Sequence, residues 1–134
     1  MKRALIIAAM TLTFNTLAFS APTTETNGVL RDSTGHTLYV FAKDEINKSK
    51  CSNECIKVWP AFVAKEGVQP SGDLTLVVRD DGTKQWALKG KPLYFYAGDN
   101  KAGDINGDGI GGTWSAVRSS PASGKAVSTP SSGY

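Results

Sequence analysis

The segment Leu38-Tyr39-Val40-Phe41-Ala42-Lys43-Asp44 has a related second copy, Leu93-Tyr94-Phe95-Tyr96-Ala97-Gly98-Asp99, and the predicted fold follows from this duplication. When the chain is shifted by 55 residues, the segment from Gly35 to Trp59 falls on the segment from Gly90 to Trp114 without a gap. The identical pairs are Gly35/Gly90, Leu38/Leu93, Tyr39/Tyr94, Ala42/Ala97, Asp44/Asp99 and Trp59/Trp114. Two copies of a half-buried unit predict packing about a pseudo-twofold axis, because a lone two-stranded hairpin is only marginally stable in water.

Each copy carries the same motif, which reads Tyr-x-aromatic-x-x-Asp and is followed by a tryptophan 20 residues after the tyrosine. The motif residues are Tyr39, Phe41, Asp44 and Trp59 in the first copy and Tyr94, Tyr96, Asp99 and Trp114 in the second. An aspartate directly after a strand commonly accepts backbone N–H bonds in the following turn, and aromatic residues at alternate strand positions commonly fill a core. The spacing therefore favours a structural role for the motif.

The pattern around the two copies predicts antiparallel hairpins. Short runs rich in β-branched and apolar residues alternate with Gly and Asp turn signals, of which Asp80-Asp81-Gly82 is the strongest. The predicted strands are residues 29–31, 38–41, 74–78, 85–88, 92–97 and 114–118, while the polar segment 23–27 is expected to be a loose leader. The sequence thus predicts a mostly β fold, a small antiparallel sheet domain from two pseudo-symmetric repeats, with a short helix or loop carrying the cysteine pair.

The two ends of the chain differ in composition from its middle. Met1-Lys2-Arg3, the apolar run Ala4 to Phe14 and the small-x-small pattern Ala18-Phe19-Ser20 predict a signal peptide over residues 1–20. Residues 119–134 are rich in Ser, Pro and Gly and are expected to form a disordered tail. The predicted two-repeat β domain covers residues 21–118, with the first repeat at about 28–62 and the second at about 74–118.

Composition and charge exclude several classes of function. The chain has 134 residues and a formal net charge of +3. Two of its basic residues, Lys2 and Arg3, lie in the predicted signal peptide. A nearly neutral mature chain without a basic block is not expected to bind nucleic acid. The apolar run is about half of the ~20 residues that span a bilayer, so no stable membrane insertion is expected after signal cleavage. The predicted location is periplasmic or secreted.

Cys51 and Cys55 are the two cysteines of the chain and lie four residues apart. On one helical turn they would share a face, and thiols close together outside the cytosol tend to oxidise, so a structural disulfide is expected. The alternative is a copper-binding or thiol-redox accessory protein, in which two thiolates and the single imidazole, His36, supply a soft three-ligand set. No cofactor is expected under the first interpretation, and copper is expected under the second.

Two groups of oxygen-bearing side chains allow other functions. Asp44 and Asp99 could face each other across the pseudo-twofold axis as the acid and base of a carboxylate-pair enzyme. Asp104, Asn106 and Asp108 match the opening half of an EF-hand loop, although the bidentate glutamate of a calcium site is missing and a Gly/Asp/Asn turn is the simpler interpretation. Neither a catalytic residue nor a metal site is favoured.

The duplicated motif resembles the family described as predicted lipoproteins, or secreted repeats of unknown function. The resemblance extends through Cys51-x-x-x-Cys55, Trp59-Pro60, Asp81-Gly82-x-x-Gln85 and the segment from Gly103 to Trp114, and so covers most of the mature chain. The chain departs from many members in lacking a lipobox cysteine and in carrying Asp108 where a glutamine is common. The resemblance implies an exported cell-envelope protein of undefined biochemical role.

The sequence as a whole favours a non-catalytic binding or accessory module of the cell envelope, with an unknown ligand or protein partner. Three Trp and four Tyr could supply an aromatic platform for sugars or peptides, although such residues more often fill a core.

Overall fold

The computed structural model describes residues 8–12 and 22–118. The predicted signal peptide and tail lie outside these ranges, apart from residues 8–12. The elements in chain order are β1 (Thr23–Thr26), β2 (Val29–Asp32), β3 (Tyr39–Phe41), α1 (Glu54–Val58), β4 (Leu74–Val78), β5 (Lys84–Leu88), β6 (Lys91–Pro92), a 3₁₀ turn (Ile110–Gly112) and β7 (Trp114–Ala116). Among the helices of the described residues, none is long and apolar enough to cross a membrane.

The predicted mostly β fold is confirmed. The strands form small antiparallel sheets, in which β1 pairs with β2, β3 pairs with β7, and β5 lies between β4 and β6. The short helix α1 contains Cys55 and follows Cys51 closely, as expected for the segment that carries the cysteine pair. The β4–β5 hairpin closes through the Asp81-Gly82 turn, where Gly82 has a φ of 84°.

Two details of the predicted strand pattern are wrong. The expected leader 23–27 instead forms β1, because the Asn27-Gly28 pair takes positive φ values of 52° and 77° and turns the chain back onto β2. The strand expected over 92–97 ends at Pro92, and Tyr94 then makes single bridges to Tyr39 and Ala61. Tyr94 is therefore shared between two neighbouring segments instead of continuing one long ladder.

The two copies of the duplication exchange their C-terminal segments. In the first copy, β3 pairs with β7 from the second copy, with Tyr39 opposite Ala116. In the second copy, Tyr94 pairs with Ala61, which follows the tryptophan of the first copy. Both pairings are related by the 55-residue shift, so each tyrosine strand is completed by the other copy.

The pseudo-twofold axis passes between Tyr39 and Tyr94. The Tyr39 N–H donates to the Tyr94 carbonyl at 2.8 Å, and the Tyr94 N–H donates to the Tyr39 carbonyl at 2.9 Å. Further along, Ala42 N–H donates to the Thr113 carbonyl at 2.7 Å, and the equivalent bond joins Ala97 to Val58 at 2.8 Å. These symmetric bonds show that the two repeats are interlocked rather than placed side by side.

A closed ring of three backbone hydrogen bonds flanks the axis on each side. Leu38 donates to Leu30, Leu30 donates to Val117, and Val117 donates to Leu38, at 2.8 to 3.0 Å. The equivalent ring is formed by Phe62, Trp86 and Leu93. Each ring takes two segments from one repeat and one from the other, which repeats the exchange seen at the axis.

The aromatic residues fill the core between the repeats. The rings of Trp59 and Trp114 stack at a centroid distance of 3.8 Å and an interplanar angle of 3°. Tyr39 and Tyr94 are fully buried, and the third tryptophan, Trp86, is also buried in a second cluster with Leu38 and Leu93. The tryptophans therefore belong to the core and offer no aromatic platform on the surface.

Candidate functional site

The duplicated motif places each aspartate on the tyrosine of the other repeat. The Tyr39 hydroxyl donates to Asp99 Oδ2 at 2.7 Å, and the Tyr94 hydroxyl donates to Asp44 Oδ2 at 2.6 Å. We call these two bonds the Tyr–Asp clamps. Each clamp spans the pseudo-twofold axis, so the motif connects the repeats through side chains as well as through the backbone.

The second oxygen of each aspartate organises its own repeat. Asp44 Oδ1 accepts the backbone N–H of Lys50 at 2.6 Å, and Asp99 Oδ1 accepts that of Asn106 at 2.8 Å. Both aspartates stand in a turn directly after the strand, because their own N–H groups donate to the carbonyls of Phe41 and Tyr96 at 3.0 Å. One carboxylate therefore fixes both a loop in its own repeat and a tyrosine in the other.

Burial changes the proton affinities of the clamp groups. Desolvation raises the pKa of Asp44, although the Tyr94 hydroxyl, the Lys50 N–H and the charge of Arg79 oppose this shift. The pKa values of Tyr39 and Tyr94 are raised, first by burial and then by the hydrogen bond to the partner aspartate. Both phenols therefore stay protonated and act as donors.

An arginine extends the clamp at Tyr94. The Tyr94 hydroxyl lies 2.6 Å from Ser49 Oγ, to which Arg79 Nη1 donates at 2.9 Å. Arg79 also donates to Gln85 Oε1 and to the Cys51 carbonyl, both at 2.7 Å. Gln85 is fully buried and donates in turn to the Leu93 carbonyl at 2.7 Å.

The clamp at Tyr39 has a different neighbour, since the hydroxyl of Tyr39 accepts the Gly107 N–H at 3.1 Å.

Sequence reasoning missed Ser49, Arg79 and Gln85 as parts of this arrangement. Ser49 and Arg79 occur in polar segments where such residues are common, and no spacing rule connects them. Gln85 gives one signal, because it is a polar residue in the apolar strand β5, and a buried polar side chain requires hydrogen-bond partners.

A groove lies beside this network, between the segment 47–56, here called the Cys loop, and the turn 78–81. Its volume is about 350 Å³. Arg79, Ser49 and Cys51 belong both to its lining and to the network behind it. We call it the Arg79 groove.

The two cysteines form the expected disulfide. Cys51 and Cys55 are joined with an S–S distance of 2.03 Å, and their Cα atoms lie 5.2 Å apart. Cys51 is fully buried, and its carbonyl accepts the bond from Arg79. The disulfide therefore fixes one wall of the Arg79 groove.

The copper set is not assembled in this structure. The two sulfurs are bonded to each other, and the His36 Nδ1 atom lies 2.8 Å from Thr34 Oγ1 in the β2–β3 turn. Across residues 8–12 and 22–118, no group of three or more His, Cys, Asp or Glu side chains is placed to hold a metal ion.

The side chains of the calcium hypothesis bond to different parts of the protein. Asp104 Oδ2 accepts the N–H groups of Asn100 and Lys101, and Asp108 forms an ion pair with Arg118 at 2.6 Å. The Asn106 amide donates to the Gly98 carbonyl at 3.3 Å. These bonds correspond to the turn interpretation of the segment.

The two carboxylates of the enzyme hypothesis, Asp44 and Asp99, are hydrogen-bonded to different partners. Asp44 and Asp99 each hold one tyrosine and one backbone N–H, and the charges that act on Asp44 are those of Arg79 and Lys50. Both carboxylates therefore act as hydrogen-bond acceptors that stabilise the fold.

Reduction or removal of the disulfide gives the first testable effect. The double variant Cys51→Ala/Cys55→Ala is expected to lower the free energy of unfolding by about 2 kcal/mol, because the disulfide closes a very short loop and restricts the unfolded chain only modestly. Urea denaturation of the oxidised wild type and the variant measures the difference. A variant as stable as the wild type would contradict this expectation.

Alkaline titration tests the burial of the clamp tyrosines. Their pKa values are raised above the ordinary 10.0, so the folded state holds these two protons more tightly than the unfolded state. The resulting stabilisation is complete below pH 10 and is lost as the pH rises towards the raised values. In a spectrophotometric titration, Tyr39 and Tyr94 are expected to ionise together with unfolding. The variant Tyr39→Phe/Tyr94→Phe lacks this delayed component, whereas a wild type whose tyrosines all ionise near pH 10 while folded would refute it.

The comparison with protein-family models gives a match to both repeats. A family model described as a secreted repeat of unknown function matches residues 22–63 and 75–118. Each matched span contains one tyrosine and one aspartate of the clamps. No curated protein and no solved structure matches the chain.

Proposed function

Since the chain belongs to the family of secreted repeats of unknown function, we propose that it is a non-catalytic binding or accessory module that acts outside the cytosol, in the cell envelope. Its family and its disulfide support an exported protein. The groove beside the disulfide is the surface on which we place binding.

The observation that carries this proposal is that the side chains of the duplicated motif have structural roles. Both tyrosines are fully buried, and both tryptophans are almost so. Both aspartates are bonded to the opposite repeat. Because the motif side chains serve the fold, the repetition of this motif within the chain supports a rigid scaffold rather than a reaction centre.

A rigid scaffold suits binding because little conformational entropy is lost when a ligand is taken up. The Arg79 groove is bounded by the disulfide on one side and by the β4–β5 turn on the other. The Cys loop is further tied down by the Lys50 N–H bond to Asp44. These constraints support a preformed site.

Site-directed photo-crosslinking in the exporting cell tests the proposal. A diazirine amino acid with a slim aliphatic side chain, which leaves the groove open, is placed at Ser52, in the groove, or at the exposed Lys91 of β6, outside it. Adducts of one or a few defined masses are expected from Ser52 and not from Lys91, and the captured molecule should be chemically unaltered. Equal labelling from both positions, labelling from neither, or recovery of a converted molecule would contradict a binding module.

A further inference from the structure

We propose that the Arg79 groove binds the carboxylate group of a small hydrophilic molecule, a sugar acid or a peptide C-terminus, with Arg79 as the anchor. This inference rests on the proposed binding function and names the chemistry of its ligand. The proposed anchor, Arg79, is not a member of either Tyr–Asp clamp.

The guanidinium of Arg79 is held by neutral partners. Its three acceptors are Ser49 Oγ, Gln85 Oε1 and the Cys51 carbonyl, at 2.7 to 2.9 Å. None of the ion pairs within residues 22–118 includes Arg79, whereas Arg118 is paired with Asp108 at 2.6 Å. The charge of Arg79 acts on Asp44 and Asp81, but neither carboxylate makes a direct bond to its guanidinium. A carboxylate ligand would supply the direct charge-assisted contact that the protein does not.

The bonds to the protein leave a defined pair of donors on Arg79. A guanidinium has five N–H groups, and two on Nη1 and one on Nη2 are occupied. The remaining N–H groups are those of Nε and the second of Nη2. A parallel pair of N–H groups on a planar guanidinium matches the two oxygens of a carboxylate.

The position of Arg79 is fixed before any ligand arrives. Ser49 is bonded to the buried Tyr94 hydroxyl, Gln85 is itself bonded to Leu93, and the Cys51 carbonyl lies beside the disulfide. Anchoring by three groups that are themselves immobilised means that the side-chain entropy of Arg79 is already lost in the free protein. Binding is stronger when that ordering has taken place beforehand.

The rest of the lining selects for a small, singly charged ligand. The volume of about 350 Å³ is at the lower end of the range for ligand pockets. Ser52 and Asn53 offer donors for hydroxyl or amide groups. Apart from Arg79, the charged residues of the lining are Lys48, Asp80 and Asp81, whose net negative charge disfavours a second negative charge on the ligand. A single carboxylate with neutral polar neighbours therefore fits better than a doubly charged phosphate.

Amide-detected NMR titration of the mature protein tests the inference. The probes are galacturonate and N-acetyl-Ala-Ala, each compared with its uncharged counterpart, galactose and N-acetyl-Ala-Ala-amide. At least one acid is expected to shift the amide signals of the Cys loop and of the turn 78–81, and to bind about tenfold more tightly than its counterpart, a difference typical of one charge-assisted bidentate contact. The tighter acid distinguishes a sugar source from a peptide source.

Arg79→Gln is expected to weaken binding of that acid about tenfold or more. The matched control is Arg118→Gln, which removes a cation elsewhere and should leave the Kd unchanged. Because Arg79 also supports the fold, a second pair of variants is used, in which Ser52→Trp fills the groove and Ser52→Ala leaves it open. Ser52→Trp should abolish the shifts, and Ser52→Ala should retain them.

Three results would overturn the carboxylate proposal: no groove shifts with either acid, equal shifts with acids and neutral counterparts, or unchanged binding in Ser52→Trp. If crosslinks from Ser52 persist while both acids fail, the binding module stands and its ligand has another chemistry. If the crosslinks are also absent, both proposals fail.

Discussion

Replacing Trp59 by alanine is expected to lower the free energy of unfolding by about 3–5 kcal/mol, the range for truncating a large buried aromatic side chain. The Trp59 ring is 4% exposed and stacks on Trp114 across the pseudo-twofold axis. It also packs on the rings of Tyr39 and Tyr96. Its loss removes contacts to both repeats at once, and urea denaturation followed by far-UV circular dichroism measures the effect.

The control for this experiment is Val63→Ala, which removes a side chain that is 47% exposed and should cost far less. Trp59→Phe retains part of the stack and should fall between the two. A loss below about 1 kcal/mol in Trp59→Ala would show that the tryptophan pair does not form the core of the interlocked repeats.

Removing one clamp hydroxyl is the second large effect. Tyr94→Phe is expected to lower the free energy of unfolding by about 2–3 kcal/mol, because a half-buried carboxylate loses its charge-assisted donor. The same hydroxyl also contacts Ser49, so its removal loosens the anchor of Arg79. Chemical denaturation at neutral pH gives the loss, and Tyr39→Phe should give a similar one.

Tyr96→Phe provides the matched comparison. Its ring packs on Trp59, but within residues 22–118 its hydroxyl makes no hydrogen bond, so the substitution should change stability by less than about 0.5 kcal/mol. If Tyr96→Phe costs as much as Tyr94→Phe, the loss reflects ring packing and the clamp is not the cause.

The duplication carried most of the information that the sequence holds about the fold. It predicted two related units around a pseudo-twofold axis, and β4 lies at the predicted residues because a β-branched apolar run is followed by the strong Asp81-Gly82 turn. Strand β1 was also predictable, since Asn27-Gly28 is a recognised hairpin signal. It was missed because the polar residues 23–26 carry no apolar alternation, and cross-strand pairing with β2 overrides that weak preference.

The exchange of segments could not be predicted from the same pattern. A repeat in which each copy is self-contained and one in which the copies exchange ends have the same local sequence, since the two differ only in long-range pairing. Shifting the chain on itself shows that Tyr39 corresponds to Tyr94, but gives no sign that Tyr39 bonds to Asp99. The packing of Trp59 on Trp114 across the axis is likewise a long-range contact that the local sequence does not report.

The candidate site likewise contains a feature that the sequence predicts and one that it does not. The disulfide was predictable because the spacing of Cys51 and Cys55 and the predicted signal peptide point to it together. Arg79 was not, because it acquires its role from three partners that are 6 to 30 residues away in the sequence. Its importance comes from the burial of its acceptors, a property that no spacing within the chain reports.

The exchange between repeats can be tested most directly by double-mutant cycles on the clamps. Tyr39→Phe with Asp99→Ala, and Tyr94→Phe with Asp44→Ala, should each show a coupling energy of about 1–2 kcal/mol, because each pair shares a hydrogen bond. The pairings within one repeat, Tyr39 with Asp44 and Tyr94 with Asp99, should be additive to about 0.5 kcal/mol. Interlocked repeats require coupling across the copies only, and coupling confined to pairs within a copy would contradict them.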